Sequence, residues 1–326
     1  MNKSISIIIP SRNGIDHLKR NLPILINNLE PSFSRGIILV DNGSSDGSAE
    51  FVQNNYPGVK VLAFPEILSF AEACNLGAEA AKNQYLFFLN SDVRVTPNFL
   101  PPLLHCFEDP AVFAVTPAII VPKMENINEA LTSATFKGGA INTDFYASQR
   151  WGKQPDQAIP VLFGCGAALM VEKEKFRQLG GFDPLFSPFY FEDLDLSYRA
   201  QKRGWKILCQ PNSVVYHEKE GTIASHFQQN QVFAYRRKNH YLFIWKNIFD
   251  RGMLFSHLLE LVLLKIIIPN PTEWSGLWQA FRLLPKALAG RRQEAKFQRI
   301  PDRAIIQKAA YLLEKGEAPW QKHLAA

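Results

Sequence analysis

The 326-residue chain is 47% hydrophobic and 20% charged, which excludes a disordered or low-complexity protein and allows a full buried core. It carries 36 Lys and Arg against 30 Asp and Glu, and the excess is uneven: from Arg236 onward 16 basic residues face 7 acidic ones, so the residues before Arg236 are slightly acidic. Four scattered cysteines (Cys74, Cys106, Cys165, Cys209) with no CxxC pair exclude a disulfide scaffold and a thiolate metal site, and read as reduced thiols in a cytosolic setting.

Ile5–Ile9 is a strand-length apolar run ended by Pro10, so no targeting segment is expected at the start. Pro10-Ser11-Arg12-Asn13-Gly14 turns into a helix with apolar positions at Leu18, Leu22, Leu25, Ile26 and Leu29. A second strand, Ile37–Val40, runs into Asp41-Asn42-Gly43-Ser44-Ser45-Asp46-Gly47-Ser48. That loop can aim backbone N–H groups at an anion, yet it has neither the Lys of a P-loop nor GxGxxG spacing, and an ordinary turn fits it as well. Val59–Leu62 and Ser69–Ala81 repeat the strand and helix, the latter holding Asn75-Leu76-Gly77. Tyr85–Leu89 is apolar throughout and leads directly into Asn90-Ser91-Asp92. A strand of this kind is buried on both faces, as in a parallel sheet covered by helices, and ligands bind such sheets at the carboxyl ends of the strands. Asp92 therefore either caps the next turn or holds a cation.

Beyond Asp92, prolines at 97, 101 and 102 open a helix and Ala111–Val121 is a further strand. Residues 123–160 read as a loop-like excursion pinned by Phe136, Phe145, Tyr146 and Trp151. Val161–Val171 reads as a buried strand with close-approach glycines, followed by a short helix closed at Gly180-Gly181. An aromatic loop, Phe182–Phe191, then delivers Glu192 and Asp193 to the first turn of a helix, where the helix field favours ionised carboxylates. Asp195 and Arg199 are spaced to pair on that helix. Two short strands follow, Trp205–Leu208 and Val214–His217.

From Phe227 on, the chain reads as a helical extension. Phe227–Trp245 is aromatic-rich with Arg236-Arg237-Lys238 inside it, and Leu254–Ile268 is apolar but interrupted by His257, Glu260 and Lys265 and stopped by Pro269. It is too short and too charged for a conventional span, so an interfacial helix or a buried one in a helical packing layer is expected, with Trp274, Trp278 and Trp320 and the basic pair Arg291-Arg292 suiting a headgroup region.

Asp41, Asp92, Asp193 and His217 share one property: each lies at or near the carboxyl end of an expected strand, or opens the element beyond it. Three carboxylates and an imidazole converging there suit a hard cation such as Mg2+ or Mn2+, which bridges phosphate oxygens and assists departure of a diphosphate. Asp193 is then placed to take a proton from an attacking hydroxyl.

These residues resemble a known family. Ile7–Pro10 with Asn13, Val40–Ser48, Asn75-Leu76-Gly77, Leu89–Asp92, Gly164–Ala167, Gly180–Asp183 and Glu192–Leu196 match, in order, the inverting nucleotide-sugar-dependent glycosyltransferases of family 2, over about residues 4 to 222. The resemblance implies the GT-A fold, an α/β Rossmann-like, mostly parallel sheet flanked by helices, as a catalytic domain at 1–225 with a C-terminal helical extension at 226–326. It implies donor binding by Pro10, Asn13, Asp41, Asn75, Asn90, Ser91 and Asp92, with Asp41 reading the nucleoside. Asp92 is similar to the last residue of the metal-binding DXD-type motif, with Asn90 where Asp is also common, and His217 to the late histidine of the metal or diphosphate site. Asp193 resembles the catalytic base, with Glu192 beside it. The order of motifs is closest to the rhamnosyltransferase-like branch, suggesting dTDP-rhamnose as donor and a glycan or lipid-linked glycan acceptor in cell-surface polysaccharide synthesis. The implied setting is cytoplasmic, at the inner face of the membrane, with no nucleic-acid partner and the oligomeric state open. A nucleotidyltransferase on a related sheet and a non-catalytic glycan-binding protein are the competing classes; the loop after the first strand offers the former only Arg12.

Overall fold

The computed structural model describes residues 4–29, 36–124, 127–145, 157–218, 227–262 and 271–315. Strand and helix alternate through β1 (Ile5–Ser11), α1 (Ile15–Asn27), β2 (Ile37–Asn42), α2 (Ser48–Asn55), β3 (Lys60–Phe64), α3 (Phe70–Ala80) and β4 (Tyr85–Leu89). β1 runs parallel between β2 and β4, with Ile7 opposite both Ile37 and Phe87. Ile7, Ile8, Leu86, Phe87 and Phe88 are fully buried, each worth about 1.5–3 kcal/mol of burial. Leu18, Leu22 and Leu25 of α1 cover the same core. α3 starts with a capping box in which the Ser69 hydroxyl accepts the Glu72 N–H and the Glu72 carboxylate accepts the Ser69 N–H. Gly77 lets α3 lie directly on the sheet, because a Cβ there would meet Ile8 Cγ2 at 2.4 Å and Val40 Cγ2 at 3.1 Å.

β5 (Val93–Val95), α4 (Leu100–Cys106) and β6 (Val112–Val121) follow. Residues 123–160 depart from the loop-like expectation: among the described ones β7 (Ile127–Asn128) pairs with β6, and β8 (Thr132–Lys137) and β9 (Ala140–Phe145) form an antiparallel hairpin. Its turn is Gly138-Gly139, both at positive φ, a pair that suits a tight hairpin without steric cost. Tyr146 and Trp151 lie outside the described residues. β10 (Ile159–Pro160) joins the sheet edge.

The expected strand over 161–171 is shorter. Only β11 (Ala168–Glu172) is extended, and it is antiparallel, inserted between β4 and β6 with Met170 opposite Phe87 and Val115. Gly164–Ala167 instead forms a turn at the end of β4. After α5 (Lys173–Gln178) and α6 (Glu192–Lys202), the two expected strands merge into β12 (Lys206–His217), parallel to β6 with register shifts that absorb Pro211. The sheet order is β10-β12-β6-β11-β4-β1-β2-β3, mostly parallel.

α7 (Gln229–Asn247), α8 (Arg251–Glu260), α9 (Pro271–Glu294) and α10 (Asp302–Lys315) form a helical layer. Residues 219–226, where the two expected domains meet, and 263–270 and 316–326, which hold Lys265, Pro269 and Trp320, lie outside the described residues. The layer shares a second core with the catalytic-looking half: Phe186, Leu194 and Tyr198 pack with Tyr241, Phe243, Leu277 and Ala280. Buried ionic links reinforce it. Asp302 accepts the Tyr198 hydroxyl at 2.9 Å and pairs with Lys202 at 3.3 Å. Asp195 and Arg199 do pair, at 2.7 Å, but in the interior, where Lys246 reaches the other Asp195 oxygen at 2.7 Å. Among the described residues no helix is long and apolar enough to cross a membrane.

Because the wall against Gly77 is the fixed sheet core, Gly77→Val is expected to destabilise the protein by about 2 kcal/mol or more. Urea denaturation checks this; an unchanged midpoint would mean that α3 does not rest on Ile8.

Candidate active site

The first loops at the sheet edge are tied to each other by local hydrogen bonds. Asn13, at φ 48°, donates its N–H to Ser44 Oγ at 2.9 Å and accepts the Ser45 N–H on Oδ1 at 2.8 Å. Asp46 accepts the Ile15 N–H on one oxygen and the Ser48 N–H on the other, so it caps α1 and α2 together. Its structural weight was not singled out from sequence. Pro10 sits within β1 opposite Val40, one step before Ser11 meets Asp41. Asp41 is buried, with a long contact of 3.4 Å from the Ser44 N–H to Oδ2.

At the end of β4 the Asn90 N–H donates to the Ala167 carbonyl at 2.9 Å, and Asn21 Nδ2 donates to the Ser91 carbonyl at 2.8 Å. Asp92 Oδ2 lies 3.3 Å from His217 Nε2, and Glu129 Oε2 lies 2.8 Å from His217 Nδ1. Burial opposes charge on the ring, but hydrogen bonds and charge from Asp92 and Glu129 outweigh it and push the His217 pKa up to about 9. For Asp92, burial works against ionisation, and the same bond and charge from His217 hold its pKa below the usual value. Glu129 is a site residue that sequence reasoning missed. It stands 88 positions before its partner, next to β7, in a segment without periodicity.

The second half of the site starts α6. Glu192 is buried, and Asp193 accepts the Gly166 N–H on Oδ2 at 3.2 Å and the Leu194 N–H on Oδ1 at 2.8 Å. Burial raises the Asp193 pKa, the two backbone donors pull it back, and the Glu129 charge adds to the rise. Burial, then the adjacent Asp193, keeps Glu192 well above the usual carboxylate range.

One turn brings these two halves to the same edge of the sheet. Ala167 takes the Asn90 N–H, and Gly166 next to it gives its own N–H to Asp193. Asn75 Nδ2 donates to the Phe182 carbonyl at 2.8 Å and its Oδ1 accepts the Phe182 N–H at 3.0 Å, so the amide holds the turn before Asp183. Gly181, at φ 74°, makes room for it, since a Cβ there would meet Asn75 Oδ1 at 2.5 Å.

Several buried polar atoms on this edge have no hydrogen-bond partner among the described residues: Ser11 Oγ, Arg12 Nε, Asp41 Oδ1, Asn90 Oδ1 and Glu192 Oε2. Such atoms are costly unless a ligand completes them. They follow β1, β2 and β4 and open α6, which outlines a polar ligand along the edge. Among the described residues no group of three or more His, Cys, Asp and Glu side chains forms a metal cage. Asp92 and His217 are a two-ligand pair, an oxygen and an imidazole nitrogen suited to a divalent cation whose other ligands come from a bound phosphate or water.

Comparison with known proteins gives a family and a fold. The model for glycosyl transferase family 2 matches residues 6–180, more than half of the chain. An N-acetylglucosaminyl-diphospho-decaprenol L-rhamnosyltransferase of Mycobacterium tuberculosis is 29% identical over 247 residues, 67% of this chain and 79% of that protein. Human polypeptide N-acetylgalactosaminyltransferase 16 is 26% identical over 71% of this chain, which spans only 43% of that protein's length. Among solved structures, GalNAc-T7 with UDP, GalNAc and Mn2+ superposes with a TM-score of 0.64 at 21% identity, covering 88% of this chain and 56% of that one. The mannosyltransferase PcManGT from Pyrobaculum calidifontis, in complex with GDP-Man and Mn2+, gives 0.53 at 18% identity over 100% of this chain and 85% of that one. The fold is the GT-A arrangement with C-terminal helices.

A divalent cation on His217 Nε2 competes with a proton held up to about pH 9. Mn2+ affinity is therefore expected to rise about tenfold per pH unit between pH 7 and 9 and then level off. Titration calorimetry across that range checks it; a flat affinity would remove His217 from the ligand set.

Proposed function

Because the chain belongs to glycosyl transferase family 2, we propose that it transfers a sugar from a nucleoside diphosphate to a hydroxyl of a glycan or lipid-linked glycan, with inversion at the anomeric carbon. The single observation that carries this reading is the Gly164–Ala167 turn, which sets Asn90 and Asp193 on one edge. The mycobacterial relative supports rhamnose on a nucleoside diphosphate as donor and a diphospho-polyprenol glycan as acceptor. Mn2+ in both structural neighbours, together with the Asp92 and His217 pair, supports Mg2+ or Mn2+ as cofactor.

Each residue has a task in this reaction. Asp41, at the end of β2, receives the nucleoside, and Asn13 shapes the loop beside it. Asn90, Ser91 and Asp92 line the diphosphate, and Asp92 with His217 would hold the cation, which when bound neutralises charge on the departing diphosphate. Glu129 fixes the ring so that Nε2 faces the site, as carboxylates behind metal-binding histidines do. Asp193 is aimed by its two backbone donors, and its raised pKa makes it a better acceptor of the proton from the attacking hydroxyl. Glu192 stands beside it at the start of the same helix. Asn75 holds the turn at Phe182.

A peripheral contact with the inner face of the membrane belongs to the same reading. Phe255, Leu258, Trp274 and Trp278 are 62%, 57%, 47% and 61% exposed on α8 and α9, and Arg282 lies 4.7 Å over the Trp278 ring. Large amphipathic rings beside cations suit an anionic headgroup layer. Sedimentation with phosphatidylglycerol vesicles is expected to carry the protein down, and Phe255→Ala with Trp278→Ala to leave it in the supernatant; equal binding by that pair of substitutions would move the contact elsewhere.

Asp193→Asn is expected to keep nucleotide affinity within about twofold of wild type and to lower transfer by at least about a hundredfold, the lower end of the range for a lost general base. Asp92→Ala is expected to lose Mn2+-dependent nucleotide binding. Calorimetry with UDP, GDP and dTDP, with and without Mn2+, and donor consumption distinguish the two. Equal loss of affinity in both variants contradicts the division of labour.

A further inference from the structure

The turn that delivers Glu192 and Asp193 is strained. Tyr190 and Phe191, the two residues before Glu192, both lie in the left-handed region, at φ 70° and 76°. Neither is a glycine, and bulky side chains adopt that conformation only where surrounding contacts impose it. The contacts come from α7. Asn239 is fully buried, and its Nδ2 lies 2.6 Å from the carbonyl oxygen of Phe186, 2.9 Å from that of Phe189 and 2.8 Å from that of Tyr190, its two N–H groups being shared among the three. The preceding residue, Lys238, donates its Nζ to the Ser187 carbonyl. Two turns further along the same helix, Lys246 bonds Asp183 at 2.5 Å and Asp195 at 2.7 Å, and Asn247 Nδ2 reaches Asp195 at 2.8 Å. One face of α7 therefore grips the loop at its start, along its length and just beyond its end.

The bonds from Lys238 and Asn239 go to backbone carbonyls, so they recognise the path of the loop and not its side chains. The path matters because Phe191 accepts the first helical bond of α6, from the Asp195 N–H at 2.8 Å, and so sets the direction in which Asp193 leaves the helix. Without the amide of Asn239 the carbonyls of Phe186, Phe189 and Tyr190 lose the two N–H groups they share, and Tyr190 has no reason to stay left-handed. Phe191 would then rotate and carry Asp193 away from the Gly166 N–H.

We propose that Asn239 is a positioning residue for the catalytic pair: it holds the Tyr190–Phe191 turn in its strained path and thereby aims Asp193. It lies outside the residues that the family model covers. The proposal rests on Asp193 being the base.

Asn239→Ala tests it with three readouts on the full chain. Hydrogen exchange of the amides in 183–194 is expected to quicken at least about tenfold while those of β1 and β4 stay protected. Affinity for Mn2+ with UDP, GDP or dTDP is expected to stay within about twofold. Turnover of whichever donor the wild type consumes, among dTDP-rhamnose, UDP-N-acetylglucosamine and GDP-mannose, is expected to fall at least about thirtyfold. Tyr190→Gly removes the steric cost of the left-handed turn, so Asn239→Ala is expected to cost less than about threefold in that background; that pair of variants also serves if Asn239→Ala alone does not fold. Unchanged exchange in 183–194, nucleotide affinity falling in step with turnover, or an equal cost of Asn239→Ala in both backgrounds overturns the proposal. Asp193→Asn that retains turnover would instead overturn the base assignment and leave the exchange result standing.

Discussion

The structure depends on one short turn after β4. A parallel sheet leaves its strand ends side by side, but the chain that carries the acceptor-side carboxylates arrives from elsewhere. Insertion of β11 against the grain of the sheet brings Gly164–Ala167 to the end of β4, where Ala167 meets Asn90 and Gly166 meets Asp193. The catalytic edge is a consequence of that register.

A second constraint is electrostatic. α6 opens with three carboxylates in its first turn, Glu192, Asp193 and Asp195, and the interior treats each differently. Asp195 is kept ionised despite burial by Arg199, Lys246 and Asn247. Among the described residues Asp193 has only backbone donors, and Glu192 has an oxygen with no partner. Three neighbouring carboxylates are thus pulled apart by environment alone, the pKa of Asp195 lowered and those of Asp193 and Glu192 raised. The cations that stabilise Asp195 come from the helix itself and from α7, which is why the helical layer is bonded into the catalytic half and not merely laid beside it. Removing one partner of such a buried pair costs about 3–5 kcal/mol, so the layer and the site stand or fall together.

Much of this was legible in the residues. Ile5–Ile9, Ile37–Val40 and Tyr85–Leu89 announce a sheet buried on both faces, and Ser11, Arg12, Asp41 and Asn90, just beyond them, hold buried polar atoms without a hydrogen-bond partner among the described residues. The pair at Glu192 and Asp193 was readable from its place at a helix start. Other features were hidden for physical reasons. Val161–Val171 is uniformly apolar, and hydrophobicity alone gives neither the direction of a strand nor the point where it becomes a turn. The Gly138-Gly139 hairpin signal was present, but its flanking strands lack clean alternation because β8 is buried on both faces at Thr132–Ala134. Asn75 stands in a run that suggests ligand contact, and its amide holds Phe182, a bond over 107 positions that no spacing reveals. Glu129 and Asn239 were invisible for the same reason: each acts through a partner distant in sequence.

The central claim is that one pocket holds the departing diphosphate at Asp92 and His217 and presents the sugar to Asp193. A crystal structure with Mn2+ and a nucleotide sugar tests it most directly. The account predicts the anomalous signal of the metal between Asp92 and His217, and the anomeric carbon of the sugar on the side facing Asp193. A metal bound away from that pair, or a sugar lying with Asp193 on the same side as its diphosphate, would contradict it.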